Sequence, residues 1–413
     1  MNGKYKLGAL LAAAILCLSA CTPAQDNGLV RSTMEHLTIP GGEEETQPPE
    51  ETGESEQTQP VTDTFTGSGD TITGFDEATL ARAQELMTGM SLEQKVGQMF
   101  LARCPESDAA NQAATFYLGG YMLFGRDFEN KTKDQVISDI QSYQSASATP
   151  MFIAVDEEGG TVNRVSSNSQ LRLYPFWSPQ DLFNEGGMEL IITDTEEKSG
   201  LLKSLGINMN LAPVCDVSTD ANDFIYPRAF GQSAEATADY VSNVVRIMNA
   251  SQMGSTLKHF PGYGNNSDTH TGMSQDDRGY ETFASSDFLP FVAGIKEGAT
   301  AVLVSHNIVT SMDAEAPASL SAKVHELLRN DLGFNGIIMT DDLAMDAIGQ
   351  YTGGNDAAVA AVLAGNDMIC TTDFTAQIPA VIDAVNNGTI NEARINQAVL
   401  RILSSKIKLG IIE

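Results

Sequence analysis

The sequence predicts an α/β fold in which eight parallel strands close into a TIM-like (β/α)8 barrel. Eight short apolar runs recur along the chain, and amphipathic stretches with a helical period lie between or after them. The runs lack the polar–apolar alternation of a half-exposed sheet, as is typical of parallel strands covered on both faces. An open, doubly wound sheet is the alternative, but no GxGxxG sequence follows the first strand.

The predicted strands and helices alternate along most of the chain. The eight apolar runs interpreted as strands are 99–102, 120–124, 151–155, 207–211, 254–257, 301–305, 336–340 and 367–370. Helical periodicity marks four longer stretches, which are 133–145, 235–249, 319–331 and 391–408. Before the first strand, Ser91 precedes Gln94 by three residues, which is the spacing of a capping box that starts a helix.

The composition favours a large globular domain and argues against nucleic-acid binding. The chain has 413 residues, of which 42% are hydrophobic, so it can bury a sizeable core. Its formal net charge of −30 opposes binding to nucleic acid, whose phosphates require Lys and Arg, and opposes docking on anionic lipid. The five cysteines include no CxxC pair, so we expect neither a zinc site nor a redox motif. We expect a monomer.

The beginning of the chain indicates an export signal. A basic start at Lys4 and Lys6 precedes an apolar stretch, 7–20, that is too short to span a membrane comfortably. Leu-Ser-Ala then precedes Cys21, which resembles a bacterial lipobox whose cysteine is lipidated. An ordinary signal peptide that happens to contain a cysteine is the alternative. We therefore predict residues 1–21 as a lipoprotein signal peptide.

A change of composition separates this signal from the barrel. Residues 22–75 include the run GGEEETQPPEETGESEQTQPVTDT, which has almost no large apolar side chain and many carboxylates. Such a segment cannot bury enough surface to offset the entropy of ordering, so we expect a disordered acidic linker. Residues 76–413 are then the barrel domain. The resulting expectation is an extracytoplasmic protein attached to the bacterial membrane only through its N-terminal lipid.

Polar residues follow the predicted strands where a barrel places its chemistry. Six ionisable side chains occupy the strand ends, namely Asp156, Lys258, His259, His306, Asp341 and Asp342. Because the carboxyl ends of barrel strands meet at one face, these side chains should converge. Ionisable groups directly after buried strands are unusual unless they form a site.

The run TDDLAM after the seventh strand offers a nucleophile. Asp341 and Asp342 are adjacent at the strand end, and a carboxylate there can attack an anomeric carbon, as retaining glycosidases require. A structural explanation is that an aspartate caps the following helix. Two adjacent aspartates allow both roles, one catalytic and one capping.

A Gly/Pro/Asn-rich loop after the fifth strand offers an acid/base group. It contains Asp268 and His270, which are two residues apart, so the carboxylate can orient the imidazole and raise its pKa. A histidine held in this way can protonate a leaving oxygen and then deprotonate water. Taken alone, the pair favours the structural alternative, a histidine in a polar turn.

Together, KHFPG…D-x-H and TDDLAM resemble the family 3 glycoside hydrolases, and specifically their β-N-acetylglucosaminidase branch. The resemblance extends over about residues 83–410. It implies that Asp341 is the nucleophile and that His270, supported by Asp268, is the general acid/base. It also implies a β-N-acetylglucosamine-terminated glycan as the partner and requires neither a metal nor an organic cofactor.

Further matches to this family imply substrate-binding residues. The segment DEEGGTVNR, the segment PRAFG and the Lys-His pair imply the set Asp156, Arg164, Arg228, Lys258 and His259, to which His306 is added as a residue lining the pocket. The run LAPVCDV, which includes Asp216, matches a strand-end motif with a structural role. One departure is Tyr263, where the family usually has a second histidine; we expect altered contacts with activity retained.

The expected enzyme is an exo-acting, retaining hydrolase that removes terminal β-linked N-acetylglucosamine from glycans such as peptidoglycan fragments, through a covalent glycosyl-enzyme. Three alternatives remain open beside another β-glycosidase specificity. A metallohydrolase could use His259, His270 and His306, although no H-x-H lies on the first strand. A phosphorylase would replace water by phosphate. A catalytically inert lipoprotein would only bind glycans.

Overall fold

The computed structural model describes residues 72, 74–266, 272, 274–352 and 356–413. Several sites predicted from the sequence lie outside these residues, namely the signal peptide with Cys21, nearly all of the acidic linker, Asp268 and His270. Within the described part of the chain, no helix has the length and apolar character needed to cross a membrane.

Eight parallel strands form the barrel, and two shorter strands lie outside it. In chain order the strands are β1 (Phe100–Arg103), β2 (Gly120–Leu123), β3 (Phe152–Val155), β4 (Met209–Asn210), β5 (Gly254–Phe260), β6 (Gln275–Asp276), β7 (Ala301–Val304), β8 (Ile308–Val309), β9 (Ile337–Thr340) and β10 (Ile369–Thr371). The large sheet has the order β10-β1-β2-β3-β4-β5-β7-β9. A parallel bridge between Met339 and Met368 joins β9 to the segment before β10, so the ring closes. The predicted barrel is confirmed, and the open sheet is wrong.

Strand β5 runs farther than the sequence pattern predicted. The apolar run ends at Leu257, but the strand continues through Lys258 and His259 to Phe260. Both polar side chains are buried, with exposures of 2% and 5%. Buried charges are tolerated only where partners compensate them, so the extra length of β5 already indicates a polar network at its end.

The helices surround the barrel and are α1 (Glu77–Thr88), α2 (Leu92–Gln98), α3 (Ala109–Thr115), α4 (Gly125–Phe128), α5 (Lys133–Ala146), α6 (Pro179–Leu205), α7 (Ala234–Ala250), α8 (Tyr280–Thr282), α9 (Phe288–Lys296), α10 (Ala322–Glu326), α11 (Asp346–Thr352), α12 (Asp356–Ala364), α13 (Phe374–Asn386) and α14 (Glu392–Lys408). Three of the four predicted helical stretches are confirmed as α5, α7 and α14. The capping box is also present, because Gln94 N–H donates to Ser91 Oγ and Ser91 N–H donates to Gln94 Oε1.

The fourth predicted helix, 319–331, is broken into three pieces. A 3₁₀ turn at Ala318–Leu320 precedes α10, and a π-helical turn at Leu327–Asp331 follows it. The break is set by Ser321, whose hydroxyl accepts a hydrogen bond from Val324 N–H and so starts a new helix.

The small sheet of β6 and β8 lies beside the loop that follows β5. Gln275 pairs with Ile308, and Asp276 pairs with Val309, so the segment after the loop is joined to the segment after β7. The carboxyl ends of β5 and β7 are thereby connected by backbone pairing outside the barrel.

Candidate functional site at the carboxyl ends of the strands

A buried lysine connects the ends of β3 and β5. Lys258 Nζ lies 2.6 Å from Asp156 Oδ1 and 2.5 Å from Glu158 Oε1. Burial disfavours the charged lysine, but the two carboxylates more than offset this, and the pKa of Lys258 is raised above its ordinary value. The lysine is therefore a fixed cation that holds two acidic side chains at the barrel mouth.

Glu158 is held from its other side by Arg228, which lies in the segment between β4 and α7. The guanidinium donates twice, from Nε at 3.0 Å and from Nη2 at 2.7 Å. Burial opposes ionisation of Glu158, but Lys258 and Arg228 lower its pKa well below the ordinary value. Glu158 is thus an ionised carboxylate between two cations at neutral pH. We call Asp156, Glu158, Lys258, Arg228 and His259 the ion-pair network.

His259 has a tautomer that its neighbours determine. Its Nε2 lies 3.1 Å from Arg228 Nη2, and its Nδ1 lies 2.7 Å from Asp216 Oδ2. An arginine only donates, so Nε2 must accept, and Nδ1 must carry the proton that it donates to Asp216. Asp216 also accepts from the backbone N–H groups of His259 at 3.1 Å and Tyr263 at 2.7 Å. Asp216 therefore fixes both the ring and the start of the following loop.

Tyr263, the departure from the family pattern, is packed into the same region. Its ring meets the His259 ring edge-on, with centroids 5.2 Å apart, and lies 5.9 Å from the ring of Phe224. The tyrosine is buried, with an exposure of 2%. The aromatic ring thus continues the packing around His259.

The predicted nucleophile lies at the end of β9. Asp341 is partly exposed, and one of its carboxylate oxygens accepts the N–H of Asp342 at 2.9 Å. Asp342 in turn accepts from Ala344 N–H at 2.9 Å and from the Thr372 hydroxyl at 3.3 Å. Burial raises the pKa of Asp342, and the charge of Asp341 adds to this increase. The second aspartate therefore caps the turn that leads to α11, and the first remains the candidate for chemistry.

His306 contacts the same turn through a hydrogen bond to its backbone. Its Nε2 lies 3.0 Å from the carbonyl oxygen of Asp342, and its Nδ1 lies 2.7 Å from Ser319 Oγ. A carbonyl only accepts, so Nε2 carries the proton. The ring is completely buried. This geometry favours a role in holding Asp342 over the direct contact with sugar that the sequence suggested.

The acidic side chains that follow β3 and β9 raise the pKa of one buried thiol, that of Cys370. Burial raises the pKa of Cys370 well above its ordinary value, and the charges of Asp342, Asp341 and Asp156 add to the effect while Lys258 opposes it. Cys370 lies in β10, between these strand ends. The predicted nucleophile and the ion-pair network therefore share one end of the barrel.

Arg164 has its guanidinium near the ring of Phe124, which directly follows β2. Its guanidinium is 5.8 Å from the centre of the Phe124 ring, beside Arg103 at 4.5 Å from the same ring. Its backbone N–H donates to the carboxylate of Glu157 at 2.8 Å, and Glu157 also binds the following residues of that loop. The structure thus places Arg164 at the β2 side of the mouth and assigns Glu157 to holding the loop.

Three residues of this region were not singled out as functional from the sequence. Glu157 and Glu158 were within the quoted motif, where only Asp156 was selected, and Asp216 was assigned a structural role that its contacts to His259 support. The available signal was the unusual run of three carboxylates directly after a buried strand. Among the residues that the structure describes, no three His, Cys, Asp or Glu side chains are grouped as a metal site would require.

Comparisons with known proteins agree with this geometry. Residues 91–405 match the family model described as the glycosyl hydrolase family 3 N terminal domain. A β-hexosaminidase of Xanthomonas campestris is 31% identical over 282 residues, which cover 67% of this chain and 83% of that protein.

Two solved structures share the fold and part of the sequence. A family 3 β-N-acetylglucosaminidase from Paenibacillus sp. matches with a TM-score of 0.73 and 31% identity; the match covers 78% of this chain and 63% of that one. A β-N-acetylhexosaminidase from Beutenbergia cavernae matches with a TM-score of 0.70 and 28% identity, over 77% of this chain and 98% of that one. Because the family model matches most of this chain, the chain belongs to glycosyl hydrolase family 3.

Proposed function

We propose that this glycoside hydrolase removes terminal β-linked N-acetylglucosamine from glycans and retains the anomeric configuration. Its relatives at about 31% identity carry the name β-hexosaminidase. The observation that supports this function best is the ion-pair network at the barrel mouth, in which Lys258 contacts both Asp156 and Glu158. It presents charged donors and acceptors in fixed positions, as recognition of a polar sugar requires.

The network is suited to sugar hydroxyl groups because its members hold one another in place. Asp156 can accept from hydroxyls, whereas Lys258 and Arg228 can donate to them. Side chains that are already ordered lose little entropy when the substrate binds. The same rigidity sets the sugar against the end of β9, where the nucleophile lies.

The proposed reaction proceeds in two steps. Asp341 attacks the anomeric carbon, the bond to the leaving oxygen breaks, and His270 gives its proton to that oxygen. Water then attacks the anomeric carbon of the glycosyl-enzyme while His270 removes a proton, and Asp341 leaves as a carboxylate. Two inversions give net retention. Asp268 orients His270; both roles rest on the resemblance, because these two residues lie outside the described part of the chain.

The decisive experiment compares chromogenic β-N-acetylglucosaminide with β-glucoside, with and without phosphate. Strong preference for the first substrate in the absence of phosphate is the expected result. A rate that requires phosphate would assign a phosphorylase instead, and turnover of neither substrate by the folded protein would contradict the proposal.

The role of Asp341 is tested by trapping the covalent intermediate. A slow fluorinated substrate should label Asp341, and Asp341→Asn should lower kcat on the order of a thousandfold or more. Asp342→Asn is the matched control, because Asp342 caps the following turn, and it should retain most activity. Label on Asp342 would reverse the two assignments.

Cell-wall fragments are the natural substrate that we propose, together with attachment through a lipid at Cys21. The chain begins with a basic and apolar segment that ends in the lipobox-like sequence LSAC. In a bacterial host, the wild-type protein should fractionate with membranes and Cys21→Ser should be released from them. The same pattern of fractionation for both proteins would contradict the anchor. Release of N-acetylglucosamine from purified muropeptides tests the substrate.

A further inference from the structure

Exposed aromatic side chains gather on two loops at the barrel mouth. Among the described residues, few large apolar side chains are exposed, and four of them are Leu173, Tyr174, Trp177 and Phe224. The first three lie between β3 and α6, and Phe224 lies between β4 and α7. Both connections leave the carboxyl ends of their strands. The exposed apolar surface therefore lies on the same face as the ion-pair network.

Phe224 is joined to the network by ring contacts. Its ring lies 5.9 Å from Tyr263, and Tyr263 lies 5.2 Å from His259, which is hydrogen-bonded to Arg228. His259 and Tyr263 are buried, whereas Phe224 is 39% exposed. The three rings thus lead from the buried network to the surface.

Trp177 is held against the turn that carries Glu158. The N–H of Gly160 donates to the carbonyl of Phe176 at 2.9 Å, and a side chain at Gly159 would collide with the carbonyl oxygen of Trp177. The indole itself is 52% exposed. Trp177 therefore has a fixed backbone next to the ion-pair network and a ring available to a ligand.

The two loops form one connected rim. Gln180, at the start of α6, donates from Nε2 to the carbonyl oxygens of Tyr226 at 2.6 Å and Ala229 at 3.0 Å. These carbonyls belong to the same segment as Phe224 and Arg228. Exposed apolar surface beside a polar binding site commonly marks a part of that site. The apolar faces of pyranose rings pack well on aromatic side chains. The hydroxyl groups at the edges of the sugar then remain accessible to water.

We propose that Trp177 and Phe224 form an aromatic platform that binds the sugar residues on the leaving-group side of the cleaved bond. This inference rests on the proposed function, because it takes the terminal sugar to occupy the ion-pair network. A glycan held there continues outward past the rim, where the two rings are exposed. The platform makes the enzyme favour oligosaccharides over glycosides with small leaving groups.

Trp177 reports on this binding directly because it is the only tryptophan of the chain. The wild-type protein is titrated with a thio-linked N-acetylglucosamine trisaccharide, which resists hydrolysis, and with the monosaccharide. The trisaccharide should shift and quench the fluorescence, and the monosaccharide should leave it nearly unchanged. Trisaccharide binding detected by calorimetry without any change in fluorescence would overturn the role of Trp177.

Kinetics of two variants test the platform independently. Trp177→Ala and Phe224→Ala should each lower kcat/KM for a hydrolysable tetrasaccharide of β-linked N-acetylglucosamine about three- to tenfold. Hydrolysis of methyl β-N-acetylglucosaminide, whose leaving group cannot reach the rings, should change less than about twofold. Tyr117→Ala is the matched control, because this exposed aromatic residue precedes β2 at the opposite end of the barrel.

The outcomes separate this inference from the proposed function. Equal losses on both substrates, or no loss on the tetrasaccharide, would overturn the platform while the hydrolase assignment stands. If the wild-type protein turns over neither substrate, the proposed function fails first, and the platform fails with it.

Discussion

Glu158 is the residue on which the two cations of the site converge. Lys258 contacts it at 2.5 Å, and Arg228 contacts it at 2.7 Å. Each of these charged groups is buried or nearly buried. A buried charge is tolerated only where an opposite charge and hydrogen bonds compensate it. Asp156 balances the remaining positive charge. The charges of the two carboxylates and the two cations of the network therefore balance.

Replacing Glu158 with glutamine should damage both stability and substrate binding. Glu158→Gln keeps the size of the side chain but leaves the buried cations with one carboxylate fewer, a change that typically costs about 3–5 kcal/mol. We expect a lower free energy of unfolding in urea and a raised KM. The exposed Glu185→Gln is the control for adding an amide.

The pH dependence of this loss has a definite sign. The folded-state pKa of Glu158 lies below its ordinary value of 4.5, so its stabilising contribution is present above pH 4.5 and declines as the pH falls toward the folded-state pKa. The stability difference between wild type and Glu158→Gln should be constant from about pH 6 to 8 and shrink below about pH 4.5. A difference that grows in acid would show that the pairing has been misassigned.

At the scale of elements, the loop after β5 is fixed at its beginning by one acidic and one basic side chain from other parts of the chain. Asp216 holds the N–H of Tyr263, and Arg278 holds the carbonyl of Gly262 at 3.0 Å. Arg278 is in turn paired with Asp276 at 2.7 Å and with Asp287 at 3.0 Å. Gly262 has a φ of +125°, and a side chain there would collide with Asp287. The start of the loop thus depends on a buried acid–arginine cluster.

Asp287 should give the protein a measurable pH dependence. Burial raises the pKa of Asp287 to about 6, although Arg278 opposes the shift. The folded state then binds a proton between about pH 4 and 6 that the unfolded state does not, so this contribution to stability is lost as the pH rises through 6. Relative to Asp287→Asn, wild type should lose up to about 1.4 kcal/mol per pH unit in that interval.

Urea unfolding at pH 4.5, 5.5 and 6.5 measures this effect. The exposed neighbour Asp277→Asn serves as the control, and its curve should run parallel to that of wild type. If Asp287→Asn also runs parallel to wild type, the carboxyl group titrates normally and the cluster is more accessible to solvent than the structure indicates.

The elements show what a single sequence can and cannot predict. All eight barrel strands were predicted from local apolar runs, because a buried parallel strand can be recognised from its own residues. The end of β5 was missed, because the burial of Lys258 depends on Asp156, which lies 102 residues away. Likewise, Glu158 was not selected from its motif, since only the closed barrel determines that its carboxylate faces Lys258 and Arg228.

At the scale of the whole molecule, the barrel has polar clusters at both ends with different purposes. The carboxyl end carries the ion-pair network. Near the amino end, Asp367 binds three arginines, which are Arg329, Arg394 and Arg401. This second cluster connects the π-helical turn after α10, the helix α14 and the start of β10, and it has no part in the proposed reaction. In such barrels the amino end contributes to stability, and the side chains at the carboxyl end are available to bind substrate.

A buried lysine at the amino end should control the stability of the barrel at neutral pH. Lys406 in α14 is fully buried, with Nζ 2.7 Å from Gln98 Oε1 and 5.3 Å from the ring centre of Phe152. Burial lowers the pKa of Lys406 from 10.5 to about 7. Between these values the unfolded state holds a proton that the folded state lacks, so stability rises with pH by up to about 1.4 kcal/mol per unit.

Lys406→Met removes this titration while keeping most of the apolar stem. The variant should be more stable than wild type at pH 6, where the buried ammonium is costly, and its advantage should decline steadily from pH 7 to pH 9. Urea unfolding at pH 6, 7, 8 and 9 measures both curves. The exposed Lys408→Met, two residues farther along the same helix, should follow wild type. Parallel curves for Lys406→Met and wild type would mean that the folded barrel accommodates the lysine without displacing its pKa.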